Sequence, residues 1–305
     1  MDNKQIIDAQ IRQLNKEFYD NFNPKYFRQK LSFLLVLLSD VDYLSKKYEE
    51  GIEIGKIKAL GDRLTNEEKI HLAQVIKGEI ALTYYHAIET FFRLFIAHAT
   101  NSDCPWVEIS NLTTFSNFKQ QLERINKFKF PKDAASFEKL IINVMFGNKP
   151  PKEANISTEK WTKNIANTKD WIFQFSSDLL KNLDYNAYKH GLAIFSTEIG
   201  FELEDTPIKQ EKSEAFAYIT KKKEKNEVYF YKTFKFINWE EKTAFIFKVC
   251  EMMQNIINVG KIRYLRNGQA TKIKLFDDIK ITDLFKEEIR ASEMSMSLPF
   301  KLDIK

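Results

Sequence analysis

Cysteine occurs only twice in the 305 residues, glycine nine times and proline seven times. Cys104 and Cys250 stand far apart and form no spacing motif, which excludes a disulfide framework and a zinc knuckle and makes a reducing cytoplasm the expected home. So little glycine and proline, set against 26 phenylalanines, suits long packed helices and argues against a loop-rich all-β architecture. Long hydrophobic runs are missing too. The longest, Phe33 to Leu38, stops at Ser39 and Asp40, well below the roughly 18 apolar residues that a spanning helix needs. The opening MDNKQIIDAQIRQ carries acids and no apolar stretch of signal-peptide type, so no membrane partner is expected. Charge of one sign is not in excess either: 47 basic residues against 42 acidic give a formal +5, which tolerates a polyanionic partner without requiring one. Finally, there is no glycine-rich phosphate loop, no Gly-x-Ser-x-Gly elbow and no His-Glu-x-x-His helix, and His98 and Cys104 have no further metal ligands beside them. Neither a cofactor nor a metal is expected.

What is present is a hydrophobic content of 44%, enough to fill a real core. Helical periodicity marks segments from Lys4 to Tyr19 and from Tyr26 to Tyr48, separated at Asn23-Pro24. A polar connector follows over Gly51 to Leu64. Thr65 and Glu68 then make a capping box, opening a long helix to about His98 that Gly78 is placed to bend or interrupt. Asn101 to Thr113 reads as a loop. Shorter helices are expected over Phe115 to Phe128 and Ala134 to Phe146, a linker over Asn148 to Ser157 and a further helix from Thr158 to Leu183. Past Ser196 the pattern changes. Glu214 to Thr220 and Glu227 to Ile237 are rich in aromatic and β-branched residues around a Lys221-Lys222-Lys223 run, which predicts a β-hairpin. Asn238 with Glu241 caps a last helix to about Tyr264. The fold class is therefore mainly α, a helical bundle with one late inserted β-hairpin. Its expected organisation is an N-terminal helical segment over 1–64, the main domain over 65–267 with the hairpin near 214–237, and a C-terminal extension over 268–305.

Two clusters carry candidate chemistry. The first lies in DYNAYKHGLAIF, residues 184–195. On a helix Asn186 and His190 share one face, with Lys189 beside them. An imidazole next to an amide and an ammonium is equipment for proton transfer at a phosphodiester. The same residues also suit a helix end that Gly191 terminates in the left-handed conformation. The second is YYHAIETFFRLFIAH, residues 84–98. Tyr84, Ile88, Phe91, Phe92 and Phe95 form a broad apolar face, and His86, Glu89, Thr90 and Arg93 a narrow polar stripe opposite. Glu89 and Arg93 are an i,i+4 pair, which reads either as a solvated intrahelical ion pair or as part of a cleft shared with His190.

A long helix with an acidic residue in aromatic surroundings, followed by an Asn-x-x-Lys-His-Gly motif, resembles the HEPN superfamily over residues 66–265. The resemblance implies an all-α domain acting on RNA, either as a metal-independent ribonuclease of bacterial stress or phage-defence systems or as a non-catalytic module that binds RNA or protein. It further implies a homodimer and a protein partner such as an antitoxin. By the same resemblance His190 is the motif histidine and Asn186 the polar residue that follows the motif arginine. The positions where that arginine is expected hold Leu183, Asp184 and Tyr185. Arg93 is then the cation available to stabilise developing charge, with Glu89 orienting the histidine, and Lys189 and His86 contacting substrate.

Overall fold

The computed structural model describes residues 3–112, 114–148, 155–181, 194–202, 209–224, 227–265, 272–277 and 293–303. They form helices α1 (Asn3–Asn21), α2 (Tyr26–Ser39), α3 (Val41–Glu50), α4 (Asn66–Ala99), α5 (Pro105–Asn111), α6 (Phe115–Asn126), α7 (Ala134–Phe146), α8 (Thr158–Lys181) and α9 (Trp239–Leu265). The strands are β1 (Ile52–Ile54), β2 (Ile57–Ala59), β3 (Ile194–Glu202), β4 (Lys209–Glu224), β5 (Glu227–Phe236) and β6 (Glu293–Asp303). The fold is mainly α, as the periodicity predicts. None of the described helices is long and apolar enough to cross a membrane.

The late hairpin is a correction. β4 and β5 do pair, but within a four-stranded antiparallel sheet of order β3-β4-β5-β6. The added strands come from either side of the hairpin in sequence: β3 directly precedes β4, with Glu202 facing Lys209, whereas β6 reaches β5 from beyond α9. The expected loop over Asn101 to Thr113 also contains α5, opened by Pro105 in the first turn, where a missing N–H costs nothing. The connector over Gly51 to Leu64 holds the β1-β2 hairpin, with Glu53 and Lys58 paired at 3.0 Å. Tyr26 to Tyr48 is two helices, because Asp40 leaves helical geometry and caps α3, accepting from the Tyr43 backbone N–H at 2.8 Å. The Thr65–Glu68 capping box forms in both directions, at 3.3 Å and 2.8 Å. Asn238 likewise accepts from the Glu241 N–H at 3.0 Å.

The chain divides into two units, each assembled from three stretches: residues 1–28, 85–183 and 244–286 in one, and 29–84, 184–243 and 287–305 in the other. The first unit is organised around aromatic rings from α4, α7, α8 and α9. Phe91, Phe92, Phe95, Phe137, Trp171, Phe175 and Phe245 are all buried. Trp171 meets Phe245 edge-on at 5.3 Å, and Phe175 lies 6.0 Å from Phe245. The extended segment 272–277 is held by asparagines that stand in for a neighbouring strand. Asn164 accepts from the Phe276 N–H at 2.6 Å and Asn167 donates to the Phe276 carbonyl at 2.8 Å. Asn255 clasps both backbone groups of Lys274, at 2.7 Å and 2.9 Å. A helix has no spare mid-turn backbone groups to offer an adjacent extended chain, so side-chain amides supply them. The buried Lys248 spreads its ammonium over the rings of Trp171 and Phe276, at 5.5 Å and 5.0 Å from their centroids.

In the second unit one face of the four-stranded sheet meets the first half of α4. α4 is not interrupted at Gly78, which lets the sheet approach: a Cβ there would stand 2.4 Å from Ser196 Oγ and 3.4 Å from the Phe216 ring. Lys77 pairs with Glu214 of β4 and lies 5.7 Å from the Trp239 ring centroid. Lys30 of α2 reaches Glu79 of α4 at 3.4 Å.

Candidate functional site

α4 carries the polar stripe of the second cluster. Its apolar face is as read from the spacing, with Tyr84, Ile88, Phe91, Phe92 and Phe95 all buried. His86, Glu89, Thr90 and Arg93 are half-buried, so the stripe is a sheltered one and not a freely solvated surface. Glu89 and Arg93 do pair along the helix. Arg93 Nε and Nη2 donate to Glu89 Oε1 at 3.1 Å and 2.8 Å.

The guanidinium is also used away from its own helix. Nη1 donates to the Leu112 carbonyl, and the guanidinium plane lies 4.5 Å from the Phe118 ring centroid. Leu112 caps the C-terminus of α5 and Phe118 sits in the first turn of α6. A cation at a helix C-terminus satisfies a carbonyl that lacks an intrahelical partner and complements the helix dipole. Arginine fits because its rigid fork donates in several directions at once while its face packs on an aromatic ring. The structure thus brings together Glu89 and Arg93 of the predicted residues, places His86 on the same helix, and gives Arg93 three partners within its own unit. Asn186, Lys189 and His190 lie outside the described residues.

Arg93 and His98 have the spacing of an arginine–histidine motif, yet the two side chains serve different places. His98 is fully buried. Its Nδ1 donates to the Leu94 carbonyl at 2.7 Å, so in the neutral ring Nε2 is bare and accepts from the Tyr19 hydroxyl at 2.8 Å. Burial pushes the imidazole down to about 4, with Arg263 acting in the same direction. Burial likewise pushes the Tyr19 phenol up. Tyr19 stacks on Tyr264 at 5.9 Å, and His98 meets Tyr264 edge-on at 6.2 Å. Gly260 completes the arrangement, since a Cβ there would stand 2.3 Å from the Tyr19 hydroxyl. This aromatic–histidine cluster joins α1, α4 and α9, and spacing along the chain carries no signal for it. Both cysteines are free and buried, and the burial of Cys250 raises its thiol to about 11. Among the described residues no three His, Cys, Asp or Glu side chains are grouped to hold a metal ion. No family model, no curated protein and no solved structure matches this chain.

Proposed function

We propose that the chain is a HEPN-like protein that acts on RNA. The observation that carries the reading is the mainly helical fold with a long helix presenting a sheltered Glu89–Arg93 pair from an aromatic core. That is the framework against which the Asn186, Lys189 and His190 motif acquires a role. In the cleaving mode His190 exchanges a proton with the 2′-hydroxyl or the leaving oxygen, Asn186 and Lys189 hold the phosphate, and Arg93 stabilises developing charge. His86 contacts substrate from α4. A second copy of the chain completes the site in the manner of the family, and the bacterial stress or phage-defence setting belongs to the same resemblance.

A specific observation favours the second mode, binding of RNA or a protein without cleavage. Arg93 is bonded to Glu89 and Leu112 and packed on Phe118, so meeting a phosphate requires it to give up contacts that hold α5 and α6. The deciding experiment is cleavage of labelled RNA in EDTA by the wild type and by His190→Ala, with thermal melting of both. Loss of cleavage by about 10²-fold or more with unchanged melting supports the catalytic mode. RNA bound but not cut by the wild type supports the binding mode, and a wild type that neither binds nor cuts RNA overturns the proposal.

A further inference from the structure

The pleat of the four-stranded sheet sorts its charges. In the register of β3, β4, β5 and β6, Phe195 faces Ala217, Ala217 faces Phe234 and Phe234 faces Met294, and in the next row Ile219 faces Lys232 and Lys232 faces Met296. Alternation along each strand puts these residues on one face together with Lys221 and Lys223. The contacts agree, because Ala215, Ala217 and Phe234 cluster with Ile199, Phe236 and Met294. The other face carries Glu198, Glu214, Glu227 and Glu293 by the same register, and it is the face that meets α4 through Glu214, Ser196 and Phe216. Among the described positions with unbroken register, the first face thus holds lysines and no carboxylate.

That carboxylate-free face buries Ala215, Ala217 and Phe234 and is exposed around them. Phe195, Ile219 and Met296 are 58%, 56% and 53% exposed, and Lys221, Lys223 and Lys232 are exposed beside them. Three large apolar side chains in solvent, on a face whose described charges are lysines, are not what a solvated strand surface needs.

We propose that this face of the sheet is a docking surface for single-stranded RNA, with bases laid on Phe195, Ile219 and Met296 and phosphates met by Lys221, Lys223 and Lys232. It rests on the reading that the protein acts on RNA and says where the strand lies. Charge complementarity selects a polyanion. Geometry selects among polyanions, because Ile219 and Lys232 sit mid-strand on a pleated surface and not on a protruding tip, as bilayer insertion needs. Ile219 and Lys232 lie on the inner strands β4 and β5, away from the edges that peptide strand addition uses. Bases are flat and stack on such a face, and four-stranded sheets elsewhere take two or three of them. From Ile219 to Lys223 the strand rises about 14 Å, a span of that order.

Fluorescence anisotropy of a labelled 12-nucleotide oligouridylate with the full-length chain tests this. The triple variant K221Q/K223Q/K232Q should bind at least about tenfold more weakly, and its plot of log affinity against log salt should be shallower by about 2, three released counterions at about 0.7 each. Phe195→Ala should weaken binding at least about fivefold. K222Q/K235Q, two lysines of the opposite face, should retain more than half of the affinity, with melting curves checking that each variant folds. Wild-type binding that the triple variant keeps overturns the surface and leaves the RNA reading standing. A wild type that ignores the oligonucleotide overturns both, and binding instead to phosphatidylserine vesicles or to a glutamate-rich peptide through the same lysines assigns the face to that partner.

Discussion

His98 should make this protein sensitive to mild acid. In the fold the imidazole takes a proton only near pH 4, whereas an ordinary histidine does so near 6.5. The unfolded chain therefore binds a proton that the folded chain refuses. The contribution of His98 is complete above pH 6.5 and is lost as the pH falls from there towards 4. At about 1.36 kcal/mol for each unit between the two values, the loss is about 2 kcal/mol at pH 5 and about 3 kcal/mol by pH 4. That is a sizeable part of a typical folding free energy of about 5–15 kcal/mol. The groups around the ring do not offset it. Tyr19 and Tyr264 are phenols that burial keeps neutral, and Arg263 opposes a second positive charge. Carboxylates held low by partners, such as Asp133 and Glu68, lose their contribution at lower pH than the upper part of this window. Urea unfolding of the wild type and of His98→Gln at pH 7.0, 6.0, 5.0 and 4.5 isolates the effect. The variant should be less stable at pH 7, and the gap should narrow by about 2 kcal/mol at pH 5. Parallel pH profiles would show that His98 is not the refused proton, and the reasoning would fail.

Asn255→Ala should destabilise the first unit by about 1–3 kcal/mol, because two backbone groups of Lys274 lose their partner, and proteolysis should then cut near 272–277 sooner; unchanged melting and cleavage would mean that water replaces the amide. Gly78→Ala and Ser196→Ala should be coupled. The added Cβ meets Ser196 Oγ in the single variant, whereas in the double variant that oxygen is gone and the helix keeps up to about 1 kcal/mol of improved propensity, so additive melting shifts would contradict the close approach. Arg93→Ala should lower stability by about 1–3 kcal/mol, and Arg93→Lys should not restore it, since one ammonium cannot serve Glu89, Leu112 and the Phe118 face together. Full stability in both variants, seen by calorimetry, would free Arg93 for a role with substrate.

The helices were legible because their signals are local. Thr65 with Glu68 and Asn238 with Glu241 announce two helix starts within four residues each, and both caps form. The break at Asp40 was not legible, since the apolar spacing runs straight across it and only the Asp40 cap on Tyr43 shows the turn. Two outer strands were missed for a different reason. Among the described residues β3 pairs only with β4 and β6 only with β5, and an edge strand such as EMSMSLPFKLD carries a proline and a mixed pattern that its partner makes tolerable. At the candidate site the i,i+4 pairing of Glu89 and Arg93 was readable. The contacts of Arg93 with Leu112 and Phe118 were not, because those positions meet it only through tertiary structure. The confinement of the carboxylates to one face of the sheet needed the register, which no single strand contains.

The meeting of Tyr19, His98 and Gly260 bears on how the protein is made. As the ribosome releases the chain, α1 emerges before α4 and α9 and carries Phe18 and Tyr19, which are buried in the finished fold. His98 becomes available only some 80 residues later, and the bare patch at Gly260 that leaves room for the Tyr19 ring follows about 160 residues after that. Every loop that joins these three points is long, so its closure is slow and must precede the contacts that reward it. The first unit therefore completes itself only after α9 has left the ribosome. Until then α1 carries exposed aromatic rings, and a nascent-chain chaperone or a translational pause before α9 has its greatest effect on yield there.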